Sequence, residues 1–214
     1  MLTPTDDVKS SPDKIGLDGA QSYLGDLNVE LDDIALLCLC ELLQCPSIGE
    51  FDREPFISGW QSAVTPSGQL DTINKQSSHV ASLRKRLLTD GPYFKKVYRY
   101  AFNLAKQPGQ KSVPMDSALE FWQIFFSSSK GGVEWNGRST AWLDEWLKFY
   151  EEKGKRPVNK DLWNMVYELT VKTKEPGGED LSWWNEDGAW PMAVDEFIGE
   201  MKAKRGGAET MDTT

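Results

Sequence analysis

Apolar side chains along this chain gather into clusters with helical spacing, separated by polar segments rich in Gly, Pro and Ser. Between positions 31 and 43 they stand at nearly every place (Leu31, Ile34, Ala35, Leu36, Leu37, Cys38, Leu39, Cys40, Leu42, Leu43), which predicts a helix buried on most sides. The run holds neither Gly nor Pro and outlasts an ordinary strand, and its Leu, Ala and Glu favour helix. Gln44-Cys45-Pro46-Ser47-Ile48-Gly49 breaks it, and Asp52 is placed to cap a helix carrying Phe56, Ile57 and Trp60. Leu70, Ile73, Val80, Leu83 and Leu87 continue the helical spacing as far as Thr89-Asp90-Gly91-Pro92.

The clearest amphipathic pattern is Phe94, Val97, Tyr98, Ala101, Phe102 and Ala105, which ends before Gln107-Pro108-Gly109-Gln110. Met115, Ala118, Leu119, Trp122 and Phe125 mark the next helix, and a loop follows from Ser127 to Arg138. Trp142, Leu143, Trp146, Leu147, Phe149 and Tyr150 predict a helix closed by Lys153-Gly154. Asn159 can cap another, with Trp163, Val166, Tyr167 and Thr170, and a last helix is predicted over 191–204. No run of strands and no fixed-period repeat interrupts this series, so the predicted fold class is all-α, a helical bundle.

Positions 1–12 and 205–214 lack apolar periodicity and read as flexible tails around a folded region, 13–204. A chain of 214 residues with 39% hydrophobic content and nine tryptophans has material for one substantial core or two fused halves. Its net charge of −9 argues against nucleic-acid phosphate as a partner and favours a basic protein surface. No apolar run reaches the roughly 20 residues of a membrane span, and the N-terminal stretch is polar where a signal peptide would be basic and then apolar. Cys38, Cys40 and Cys45 are an odd number, which suits reduced thiols inside a cell.

Two segments, around Ile15-Gly16-Leu17-Asp18-Gly19 and around Ile48-Gly49-Glu50-Phe51-Asp52, have the outline of EF-hand-like helix-loop-helix units. Both are degenerate, because a calcium loop needs several early side-chain oxygens and a bidentate Glu at its end. No metal or cofactor is expected. Cys38 and Cys45, seven apart, are placed to share a helix face, with the single His79 in a different helix, a poor arrangement for zinc. Buried thiols acting as small hydrophobes are the simpler expectation. Neither a phosphate-binding Gly-rich loop nor a Ser/His/Asp set is recognisable, so no catalytic residue is assigned.

The segment of 183–197 carries the densest chemistry: Trp183, Trp184 and Trp190 with Glu186, Asp187, Asp195, Glu196 and Pro191. Pro191 suits the first turn of a helix, where its missing N–H costs nothing, and acids nearby suit that helix's positive end. Asp195, one turn further in, is expected to face solvent. Asp161 lies just inside the helix that Asn159 caps, where a carboxylate gains from the helix dipole.

Four motifs, Lys14-Ile15-Gly16-Leu17-Asp18-Gly19, the stretch from Phe102-Asn103-Leu104-Ala105 through Lys111, Lys160-Asp161-Leu162-Trp163-Asn164 and Gly188-Ala189-Trp190-Pro191, together resemble the defective-in-cullin-neddylation family and its PONY (potentiating neddylation) domain. The resemblance spans about 13–204. It implies a scaffold-type co-ligase, without a catalytic residue of its own, that promotes transfer of a ubiquitin-like modifier to a cullin lysine. The implied partners are the cullin C-terminal winged-helix region, the RING subunit of cullin ligases and the acetylated N-terminus of the neddylation conjugating enzyme, in cytoplasm and nucleus.

By motif position the cullin-binding residues would be Asp161, Ala189 and Asp195. Those lining a pocket for the conjugating enzyme's N-terminal peptide would be Ala20, Leu36, Leu39, Cys40, Leu43, Phe51, Leu104, Phe121 and Ile124. Many members carry an N-terminal three-helix ubiquitin-associated domain. The residues before Asp13 are too few to build one, so the expectation is either a fungal-like member without it or a chain trimmed of it. The competing expectation, from the loop outlines, is an EF-hand-like adaptor that binds amphipathic peptides.

Overall fold

The computed structural model describes residues 13–63, 66, 68–154, 156–185 and 187–209, with backbone alone for 206–209. The predicted tails over 1–12 and 210–214 lie outside them. The architecture is all-α as expected, with one minimal sheet, and the chain divides into two compact units at Thr89 and Asp90.

In the first unit, β1 (Lys14–Ile15) pairs antiparallel with β2 (Phe51–Asp52), setting Lys14 opposite Asp52 and Ile15 opposite Phe51. This sheet joins the two EF-hand-like loops. Their described helices are α1 (Leu17–Asp26) after the first loop, and α2 (Ile34–Leu42) and α3 (Arg53–Ser62) around the second. Asp52 stands at the N-cap of α3 but accepts no capping hydrogen bond; its carboxylate instead lies 3.5 Å from Lys14 Nζ, across the strand pair. Tyr23, Phe51 and Phe56 close the space beside the sheet with edge-on ring contacts at 5.3–5.8 Å.

The apolar run at 31–43 starts its helix later than the pattern suggests. Leu31 is 56% exposed in a turn, and Asp33 is the N-cap, its Oδ1 accepting from the Ala35 amide at 2.8 Å. Arg84, from α4 (Ile73–Thr89), holds the same carboxylate, with Nε 3.2 Å from Oδ1 and Nη2 on Oδ2. From Ile34 to Glu41 every residue of α2 is buried, which explains a sequence apolar all round. Cys45 lies beyond the end of α2, so it shares no helix face with Cys38. Its amide donates to the Cys40 carbonyl at 2.9 Å, and a thiol hydrogen bond with Cys45, together with burial, holds the Cys40 thiol well above its ordinary pKa. All three cysteines are buried and outside any disulfide.

The second unit opens with α5 (Gly91–Ala105), capped by Asp90, whose Oδ1 accepts from the Tyr93 amide at 3.0 Å. α6 (Met115–Phe126), α7 (Trp142–Glu152), α8 (Lys160–Lys174) and α9 (Met192–Glu209) follow. α5 packs on α6 and α8, α6 on α7, and α8 on α9. The core between them is aromatic: Tyr98, Trp122, Phe125, Phe126, Trp135, Trp142, Trp146, Trp163 and Phe197 are each less than 2% exposed. Burying one such side chain stabilises the fold by roughly 1.5–3 kcal/mol.

The segment after α6 is more ordered than a plain loop. A 3-10 turn occupies Ser128–Lys130, and Trp135, which no periodic pattern marks, is fully buried with its indole N–H on Thr173 Oγ1 at 2.8 Å. α9 continues past Lys204 to Glu209. Arg205, expected to begin a tail, donates to the Glu179 carbonyl and to Thr140 Oγ1 (2.9 Å) and lies over the Trp142 ring.

Candidate functional site

Asp161, Ala189 and Asp195 all belong to the second unit. Asn159 caps α8 through Oδ1 on the Leu162 amide at 2.8 Å, and Asp161 follows in the first turn, exposed. Asp195 lies in the first turn of α9, whose opening amides, those of Val194 and Asp195, bond the Pro191 carbonyl at 2.8 and 3.2 Å. Each carboxylate therefore sits where peptide dipoles favour negative charge. Among the described residues, no lysine or arginine forms an ion pair with either.

The loop between α8 and α9 is built to hold Ala189 outward. A 3-10 turn at Gly178–Asp180 starts it, and Gly178 is pressed so closely on α8 that a Cβ there would fall 1.9 Å from the Lys172 carbonyl oxygen. Leu181 takes φ 60° and is fully buried, anchoring the loop by its side chain. Trp183 donates its indole N–H to the Gly178 carbonyl at 2.8 Å and its ring meets that of Trp190 at 5.5 Å. The Asn185 side chain accepts from the Asp187 amide, its carbonyl accepts from Gly188, and the Gly188 carbonyl accepts from Trp190. These bonds wind the backbone tightly enough to leave Ala189 exposed just ahead of Pro191.

Asp195 differs from its expectation. It is only partly exposed, because Trp184 folds over it and donates its indole N–H to Oδ1 at 2.9 Å. The Lys202 ammonium, two turns further along α9, sits 4.5 Å from the centre of the same indole ring. Sequence reasoning noted the Trp183-Trp184 doublet but gave it no role; nothing local to residue 184 signals a partner eleven positions away.

A second carboxylate also escaped the sequence reading. Glu179 accepts from the Arg138 and Ser139 amides at 3.0 Å each and from Ser139 Oγ at 3.1 Å. The Ser139 amide is the largest of the hydrogen-bonding causes that hold its pKa down to about 2. The 136–140 segment passes so close that a Cβ at Gly137 would lie 2.2 Å from Glu179 Oε1. This clasp fixes the start of the loop that carries Trp183, Trp184 and Ala189.

The residues assigned to the peptide pocket divide between the units. Ala20, Leu36, Leu39, Cys40, Leu43 and Phe51 lie in the first, each at most 2% exposed. Leu104, Phe121 and Ile124 lie in the second, where Leu104 and Phe121 are buried and Ile124 is half-buried.

The second unit is thus an all-α module that presents carboxylates at two helix N-termini and a small exposed residue in a braced loop. The chain belongs to the cullin-binding family: the family model of that description matches residues 75–199. It is 31% identical to the Pyricularia oryzae "Defective in cullin neddylation protein 1" over 93% of this chain and 72% of that protein. With the Yarrowia lipolytica protein of the same name it shares 32% identity, over 89% of this chain and 72% of the relative. With the human "DCN1-like protein 5" it shares 30%, over 92% and 75%.

Proposed function

We propose that this chain is a scaffold-type co-ligase for cullin neddylation. Its relatives carry cullin neddylation in their names, and its family is described by cullin binding. The observation that carries the finer reading is the pairing of two first-turn acids, Asp161 and Asp195, with the exposed Ala189 between them in sequence. A small exposed residue, with carboxylates that no described lysine or arginine pairs, would let a basic surface approach closely. The cullin C-terminal winged-helix region is the proposed occupant, with the RING subunit beside it.

The carboxylates would set orientation and association rate more than raw affinity. The acetylated N-terminal methionine of the conjugating enzyme is the second proposed ligand, with the apolar residues assigned in the first unit as its proposed seat. Those of the first unit are closed to solvent here, so they must part to admit a side chain. Holding enzyme and cullin at once would restrict the orientations sampled and bring the acceptor lysine toward the thioester, with two modest contacts reinforcing each other. The sites of action proposed are cytoplasm and nucleus.

The test is a reconstituted transfer reaction containing modifier, charged conjugating enzyme and a cullin–RING fragment. Addition of this chain should raise the rate of cullin modification in proportion to its occupancy. A rate unchanged at saturating chain would overturn the proposal.

A further inference from the structure

We propose that Trp184 is a positioning residue for Asp195, holding its carboxylate in the orientation that a basic partner surface meets. The inference deepens the cullin-binding reading of the acidic patch and rests on it. Its warrant is geometric. The indole N–H of Trp184 reaches Asp195 Oδ1 at 2.9 Å, so the side-chain torsions of the aspartate are held by a donor outside its own helix. Only Oδ1 is engaged by that bond, which leaves Oδ2 to a partner's cation.

Trp184 is itself held from both sides. Its amide bonds the Leu181 carbonyl at 3.3 Å, with Leu181 buried, and the Lys202 ammonium packs on its ring at 4.5 Å. The neighbouring Trp183 ties the same stretch to Gly178, next to the Glu179 clasp. An exposed aspartate that must be ordered on binding loses side-chain entropy at that moment; one ordered beforehand does not. Trp184 also covers one side of the carboxylate, which lowers the local exposure to water and strengthens any ion pair formed there. Among the described residues Lys202 forms no ion pair with the aspartate and lies over the indole ring.

The test is a double-mutant cycle read by titration against a cullin C-terminal winged-helix fragment, using the full chain. Trp184→Phe removes the donor but keeps a ring for Lys202, and melting temperatures confirm that each variant is folded. The expected result is a loss of about five- to tenfold in affinity for Trp184→Phe in the wild-type background, and none when Asp195 is already Ala. A similar loss in both backgrounds would mean that Trp184 acts apart from Asp195 and would overturn the proposal. Unchanged affinity for Trp184→Phe, with Asp195→Ala clearly weakened, would overturn it too while leaving the acidic patch standing. If Asp195→Ala itself binds as wild type, the patch reading falls and takes the positioning role with it.

Discussion

Tyr98 and Trp163 exchange hydrogen bonds: the tyrosine hydroxyl donates to the Trp163 carbonyl at 2.8 Å, and the Trp163 indole N–H donates to the Tyr98 carbonyl at 3.0 Å. Their rings stack at 5.0 Å, and the Trp122 indole donates to the same hydroxyl at 3.0 Å. Two helix backbones are thereby locked through a core that excludes water, and burial drives the Tyr98 pKa well above its ordinary value. Because α8 carries Asp161 in its first turn, this lock also fixes where that acid stands.

Tyr98→Phe should therefore be far costlier than the loss of one oxygen implies. It leaves the Trp122 indole N–H buried without this partner, at a cost of about 1–3 kcal/mol, and takes from the Trp163 carbonyl its second donor, the helical one remaining. Urea denaturation with an unchanged m-value should report a loss of about 1–3 kcal/mol. A loss below about 0.5 kcal/mol would show that the exchange contributes little.

Asn159→Ala should cost about 1 kcal/mol by removing the cap of α8, and Asn159→Asp should restore most of it. Amide exchange would locate the effect in the first helical turn, where Asp161 lies. Uniform loosening of the whole unit would contradict a purely local cap.

Acid should release the Glu179 clasp. The carboxylate's pKa falls from 4.5 to about 2 on folding. Its contribution to stability is present above the unfolded value and is lost as pH drops through the folded one. Wild type should thus lose more stability than Glu179→Gln between about pH 4.5 and pH 2, in thermal melts at stepped pH. The carboxylate is partly exposed and screened by solvent, so the difference should be modest. Parallel pH profiles for the two proteins would count against the clasp.

Leu39→Ala should destabilise the first unit by about 2–5 kcal/mol, as for a core leucine, since Leu39 is 0% exposed. A cost under about 1 kcal/mol would indicate that Leu39 borders open space in solution, as a permanently open peptide pocket requires.

Much of this fold is legible in the sequence because its helices are amphipathic or capped by recognisable residues. Phe94 to Ala105 repeats at helical spacing and is α5; Asn159 is the cap that its position suggests. What escaped depends on distant partners. Leu31 continues an apolar run, yet Asp33, an N-cap type at the right place, is where the helix starts, and Arg84 makes that choice firmer. Trp135 sits in a Gly-rich stretch without period, and its burial follows from Thr173 far along the chain. The acids of the candidate site were assigned from their motifs, whereas the hydrogen bond of Trp184 to Asp195 and the clasp at Glu179 need the loop geometry set by Leu181 and Gly178.

The most direct test of the account is isothermal titration of the chain with a cullin C-terminal winged-helix fragment, comparing wild type with the folded Asp161→Ala, Asp195→Lys double variant. The account predicts saturable binding by wild type and at least about a tenfold weaker constant, ~1.4 kcal/mol, for the variant, with the gap narrowing as salt is raised. Equal affinities for the two proteins, or no binding by folded wild type, would contradict it.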